Sequence, residues 1–266
     1  MPVLAKAFAK SRGPGVVRAT FCKRVLNFIP PPREGRRLSD ASTPDSAAPV
    51  AVTFARPEES GAFRRRLDAL QKGKCGALPA WRGCIGKIAV LVIHTGIGPA
   101  SAQRAIRELL AHGKPRRVIC AGFAGGLDPA LRVGDTLTAD FPGAPILSCA
   151  MPIETPAEKI AAFRETGARL VDMETATLAE ACARENVPLT AVRAVSDSAD
   201  QFLPVPFDAW FDTARQRARP VALVLHLLRH PSHIAPFVRF LSRLPRVAKA
   251  LAAAVEAAVR TTNGEW

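Results

Sequence analysis

Apolar residues along this chain gather into short, dense runs separated by glycine turns and amphipathic stretches. VAVTFA (50–55), KIAVLVIH (87–94), RRVICAG (116–122), ILSCA (146–150) and LTAVRAVSD (189–197) are rich in Val, Ile, Leu and Ala. Runs of that length and kind suit strands covered on both faces. Between them the period changes. PEESGAFRRRLDALQ (57–71) reads as a helix with Pro57 in its first turn and acids near its start, and ASAQRAIRELLAHG (100–113) as another that closes on Gly113. Further helices are predicted over 155–166 and 174–186. Strand, glycine turn and helix in alternation predict one α/β domain with ligand sites at the C-terminal ends of its strands. From Pro206 the pattern is helical to the end. Phe237, Leu241, Leu244, Ala248, Leu251 and Val255 repeat at helical spacing, with Arg239, Arg243 and Arg246 roughly opposite. No apolar run approaches the ~18–20 residues of a membrane span.

Charge changes this picture once it is located. The net charge is +14, yet residues 1–48 carry nine Lys/Arg against three acids and residues 215–266 nine against two. The middle is left nearly neutral. A nucleic-acid-binding core is therefore excluded, and the basic ends lack the interleaved aromatics of a strand-binding surface. Three segments follow: a disordered basic leader (1–48), an α/β domain (49–215) and a basic amphipathic helical extension (216–266). The leader is Arg-, Lys- and Ala-rich before its Pro/Ser-rich end and has no apolar core of a secretory signal. The extension suits either a cap on the sheet or contact with an anionic membrane surface. Cysteines 22, 75, 84, 120, 149 and 182 form no metal-binding spacing, and Cys120 and Cys182 in apolar runs read as reduced core residues of a cytoplasmic protein. His226, His230 and His233 are split by Pro231 and carry no metal expectation; none is placed elsewhere.

The candidate chemistry lies at the strand ends. LVDMETATLA (170–179) sets Asp172 and Glu174 among apolar neighbours, where a charge costs several kcal/mol unless it is paired or binds something. TGIG (95–98), AGFAGG (121–126) and SDSAD (196–200) each follow a predicted strand. The plain alternatives are helix-start acids for Glu58, Glu59, Asp172 and Glu174 and a helix cap for Ser196–Asp197.

HTGIGPASA (94–102), KPRRVICAGFAGGLDPALRVGDTL (114–137), LVDMETATLAEACARENVP (170–188) and AVRAVSDSADQ (191–201), in this order, resemble the purine nucleoside phosphorylase/uridine phosphorylase superfamily. Within it they are most similar to the 5′-methylthioadenosine/S-adenosylhomocysteine nucleosidases. The resemblance implies a three-layer fold with a central mixed sheet and cleavage of an N-ribosidic bond. It implies Glu174 on the ribose hydroxyls with Met173 against the sugar, Asp197 as the acid that protonates the departing base, and Glu59 as the base that activates water. Ile153 then falls near the purine. Phosphorolysis would instead need inorganic phosphate as co-substrate, cradled by Thr95, Gly96 and Gly98 with Arg56. Both reactions stay open, and Glu59, which would repel phosphate, favours water. Only FPGAP separates GDTLTAD (134–140) from ILSCA, where the family carries a longer insertion that lines the base and 5′ pocket. A more open pocket suits a bulky or lipidic 5′ substituent, and short chains with basic tails resemble the hopanoid-associated phosphorylases. A homodimer is expected from the family. The contrasting reading is a non-catalytic nucleotide- or membrane-binding scaffold.

Overall fold

A computed structural model describes residues 25–27 and 48–262. One mixed sheet organises them. Its main path runs β1 (Val25–Asn27), β8 (Ile146–Cys149), β9 (Leu170–Asp172), β6 (Arg117–Gly126), β2 (Val50–Phe54), β5 (Ile88–His94), β4 (Leu78–Ile85) and β3 (Asp68–Cys75). Strand β10 (Leu189–Asp197) lies along the other edge of β6, parallel to it, and carries β7 (Thr136–Asp140) antiparallel beyond. The strands β2, β5, β6 and β10 are mutually parallel neighbours and form the buried centre.

The branching of β6 creates the site. Its first residues pair with β2 from Arg117 to Cys120, and its last two, Gly125 and Gly126, pair with β9. Between Cys120 and Gly125 that edge of β6 has no strand beside it. A buried polar edge must find partners elsewhere, and helix α1 (Pro57–Arg64) supplies one, as described below.

Helices cover both faces. Phe63 of α1 joins Val247, Leu251, Ala252, Val255 and Val259 of the long helix α7 (Ile234–Thr261) against Val50, Val52, Phe54 and Val192. On the opposite face Ala102, Ile106 and Leu109 of α2 (Pro99–Ala111) pack with Leu178, Ala179 and Cys182 of α4 (Thr175–Arg184). Helix α3 (Pro156–Thr166) starts in a capping box of Thr155 and Glu158 and ends on Gly167 in the left-handed conformation.

Several expectations are corrected. The first helix stops at Arg64, and residues 68–71 of the range 57–71 belong to strand β3, which forms with β4 a hairpin absent from the sequence reading. Its strand residues are largely exposed, so no apolar run marks it. Strand β7 was missed for the same reason. After Pro206 the chain is not continuously helical: α5 (Phe207–Trp210) leads into a small hairpin, β11 (Phe211–Asp212) and β12 (Arg217–Ala218), before α6 (Pro220–Arg229). The boundary at 215/216 does not separate packing units, because the C-terminal half of α7 is part of the main core. Within the segment expected to be a disordered leader, Val25–Asn27 is a strand on β8; the rest of that expectation lies outside the described residues.

The two halves of α7 differ. Beyond Pro245 its apolar face is buried; before it, Ile234, Val238 and Leu241 are exposed. Helix α6 has no buried residue, and Val221, Val224, Leu225 and Leu228 face outward. No helix among the described residues is long and apolar enough to cross a membrane.

Candidate active site

A cavity of about 200 Å³ opens at the C-terminal ends of β2, β6, β9 and β10. Arg56, Glu59, Ile153, Met173, Glu174 and Asp197 all line it, so six of the sequence-predicted site residues meet in one place. Gly98 touches the site through its backbone. Thr95 and Gly96 border an adjoining cavity of about 370 Å³ that shares Ala55, Arg56 and Ile97 with the first.

Glu59 is the partner of the vacant β6 edge. One carboxylate oxygen accepts from Phe123 N–H at 2.9 Å, the other from Arg56 N–H at 3.0 Å, closing a capping box at the start of α1. Burial raises its pKa above the ordinary carboxylate value despite those bonds, which makes it a better base toward a bound water. Gly122 is required beneath it: a Cβ there would lie 2.4 Å from the Arg193 guanidinium and 3.1 Å from the Glu59 carboxylate.

Asp172 and Glu174 prove to have different jobs. Asp172 is fully engaged: it accepts from Ser148 Oγ at 2.5 Å, from Thr175 N–H at 3.1 Å and from the Thr175 hydroxyl, and it pairs with buried Arg193. It caps α4 and neutralises Arg193. Glu174 receives a single bond, from Gly98 N–H at 2.7 Å, and otherwise faces the cavity. Burial, and then the charge of Asp172, push its pKa up to about 8. An underused buried carboxyl at a cavity wall is a ready partner for ligand hydroxyls.

Asp197 ends the buried strand β10 at the cavity wall. The structure pairs one of its oxygens with Lys159 Nζ at 2.5 Å, and the other accepts from Ser196 Oγ at 2.6 Å. Lys159 is 0% exposed and also donates to the carbonyls of Ser198 and Gln201 at 3.0 and 2.8 Å. The sequence held one signal: Lys159 lies three and four residues before Ala162 and Phe163, on the apolar face of α3. Arg193 likewise interrupts a strand buried along its whole length.

Arg56 lines the adjoining cavity together with Thr95 and Gly96. Its guanidinium is held by Glu58 at 2.9 and 3.0 Å and lies 5.5 Å from the Trp210 ring centre. The Thr95 hydroxyl donates to backbone carbonyls of Phe54 and Gly96. The walls expected to be lost with the short 141–145 connection come from elsewhere: Leu203, Phe207, Trp210 and Phe240 close the cavity. The five cysteines among the described residues are free, and burial pushes Cys120 up to about 11 and Cys182 up to about 12, which disfavours the nucleophilic thiolate form. The histidines do converge, with His226 and His233 nitrogens 3.1 Å apart across the turn at Pro231, yet no group among the described residues is arranged to hold a metal ion.

A three-layer mixed-sheet protein with its ligand cavity at the strand ends has the architecture of the nucleoside phosphorylases and nucleosidases. The profile of the Phosphorylase superfamily matches residues 49–141 and 142–229, and the chain belongs to that superfamily. Among solved structures it is similar to 5′-methylthioadenosine/S-adenosylhomocysteine nucleosidase from Helicobacter pylori, at 18% identity and a TM-score of 0.58, covering 80% of this chain and 98% of the other. The corresponding Neisseria meningitidis nucleosidase matches at 20% identity, TM-score 0.56, over 79% and 99%. Futalosine hydrolase of Helicobacter pylori matches at 18%, TM-score 0.58, over 80% and 98%.

Proposed function

We propose that this protein hydrolyses the N-glycosidic bond of a purine nucleoside. The observation that carries this reading is the convergence of three buried carboxylates with three different environments on one cavity. Glu174 binds the ribose 2′- and 3′-hydroxyls, with Met173 against the sugar. The Lys159–Asp197 pair protonates the purine as the C1′–N9 bond breaks and its electron pair moves onto the base. Glu59 takes a proton from the water whose oxygen bonds to C1′. That two similar folds are named nucleosidases and a third a futalosine hydrolase supports the same chemistry.

The aromatic rim of Phe207, Trp210 and Phe240 supports an apolar, bulky 5′ substituent, as on an adenosylated lipid. Exposed apolar α6 supports delivery from a membrane surface. Between Asp212 and Glu256 the chain carries eight Lys/Arg and no acid, which favours an anionic bilayer over a second copy of the same basic face.

The test is adenine release from adenosine and 5′-modified adenosines, with and without phosphate, for wild type and Asp197→Asn. Release that ignores phosphate and is lost in the variant is the expected result. Release only with phosphate would make the protein a phosphorylase. No release from soluble nucleosides or from an adenosylated lipid in vesicles would leave the scaffold reading.

A further inference from the structure

Gln216 sits in the turn of the β11–β12 hairpin with φ +50, in the left-handed region that favours glycine. A non-glycine residue is kept there only if its surroundings hold it. The side chain shows what does. Gln216 Oε1 accepts from Ile97 N–H at 2.8 Å, and its Nε2 donates to Ile97 C=O at 2.7 Å and to Thr213 C=O at 2.6 Å. The carboxamide therefore pairs with both backbone groups of one residue, Ile97, in the glycine loop that opens α2. Other donors of that loop are also committed, Gly98 N–H to Glu174 and Thr95 N–H to Phe54 C=O. Gly96 yields to the same side chain: a Cβ at that position would stand 2.8 Å from Gln216 Oε1.

Backbone N–H groups at such a loop are the donors with which proteins cradle phosphate. Here the adjoining cavity also carries Arg56, Arg104 and Ser101 beside Gln216. Resting on the hydrolytic reading above, we infer that Gln216 is the residue that keeps the reaction hydrolytic, its carboxamide taking up Ile97 N–H, the loop donor an attacking phosphate would need. With the loop closed, water is the nucleophile that reaches C1′. With it open, a phosphate oxygen would bond to C1′ as the C1′–N9 bond breaks, the base would leave with the proton from Asp197, and the sugar would leave as its 1-phosphate.

The experiment uses the full chain and inorganic phosphate. Gln216→Gly suits the positive φ, so the variant should fold; Gln216→Ala is the second variant, and Gln216→Glu keeps one acceptor but adds a charge that repels phosphate. Calorimetric titration should show phosphate binding to the Gly and Ala variants at least about tenfold tighter than to wild type or Gln216→Glu. With adenosine and 5′-methylthioadenosine as probes, phosphate should accelerate base release only in the Gly and Ala variants, with sugar 1-phosphate as product. Folded Gly and Ala variants that bind phosphate no better than wild type would overturn the inference, as would tight phosphate binding by wild type itself. If no protein releases base from either probe or from an adenosylated lipid in vesicles, the hydrolytic reading fails, and the phosphate titration still decides the role of Gln216 in closing the loop.

Discussion

Beneath the cavity, Arg193 donates to Asp172, Thr175 and Cys120 and lies against Gly122, with Glu59 and Glu174 close by. Burial opposes its charge, but Cys120, Asp172, Glu174 and Glu59 together raise its pKa above the ordinary arginine value. Replacing it by Met would strand Asp172, a change that costs about 3–5 kcal/mol in buried pairs and is measurable by urea unfolding. Glu174 gives a pH-dependent prediction. Its folded pKa of about 8 exceeds the ordinary 4.5, so the folded chain holds a proton there that the unfolded chain releases. Stability contributed by that proton is present at acid pH and is lost as pH rises through the window to about 8. Glu174→Gln should flatten the dependence of Tm on pH and melt above wild type at the alkaline end, with little difference at acid pH. Lys159→Met should lower kcat by roughly 10²–10⁴, the usual worth of general acid catalysis, as read from base release by the folded variant. At this scale Glu59, Glu174 and Asp197 were legible as members of one site through the resemblance carried by four motifs, and all three line the cavity. Lys159 and Gln216 were not, since their roles come from partners 38 and 119 positions away.

At the scale of elements, periodicity served where both faces of a run are buried and failed where one edge is wet. LTAVRAVSD is strand β10 residue for residue, whereas DALQKGKC and TLTAD are strands whose side chains mostly meet water. Helix α7 shows the same limit. Its apolar repeat was read as one face over its whole length, yet Leu251 is in the core and Leu241 is 44% exposed. Leu251→Ala should therefore cost about 2–5 kcal/mol of unfolding free energy, while Leu228→Ala on α6 should stay within about 0.5 kcal/mol. The exposed set is predicted to matter in another assay: sedimentation with anionic vesicles should be strong for wild type, weakened by salt and reduced in the pair Val224→Asp and Leu228→Asp. Equal sedimentation of that variant would remove the membrane reading.

For the whole molecule, fold class and family order were legible from four motifs, but the closure of the cavity was not. A short 141–145 connection suggested missing walls; the chain instead brings Phe207, Trp210 and Phe240 across from its C-terminal part. The extension expected over 216–266 as a cap or a membrane contact thus adds the C-terminal half of α7 to the core and Phe240 to the site. A chain ended after Arg229 should lose its cooperative thermal transition rather than merely its basic charge, because Val247, Leu251, Val255 and Val259 would leave with it.

The 28 residues of α7 span roughly 42 Å at 1.5 Å per residue. One end is clamped in the sheet layer, and the other, about 18 Å from Ile234 to Pro245, turns Ile234, Val238 and Leu241 to solvent. Phe240 on that outer portion is also a wall of the cavity. The helix is thus a ruler: if its outer end and α6 rest on a bilayer, the cavity mouth is held within a helix-length of the headgroups, close enough for a nucleoside to be cleaved while its tail stays in the lipid.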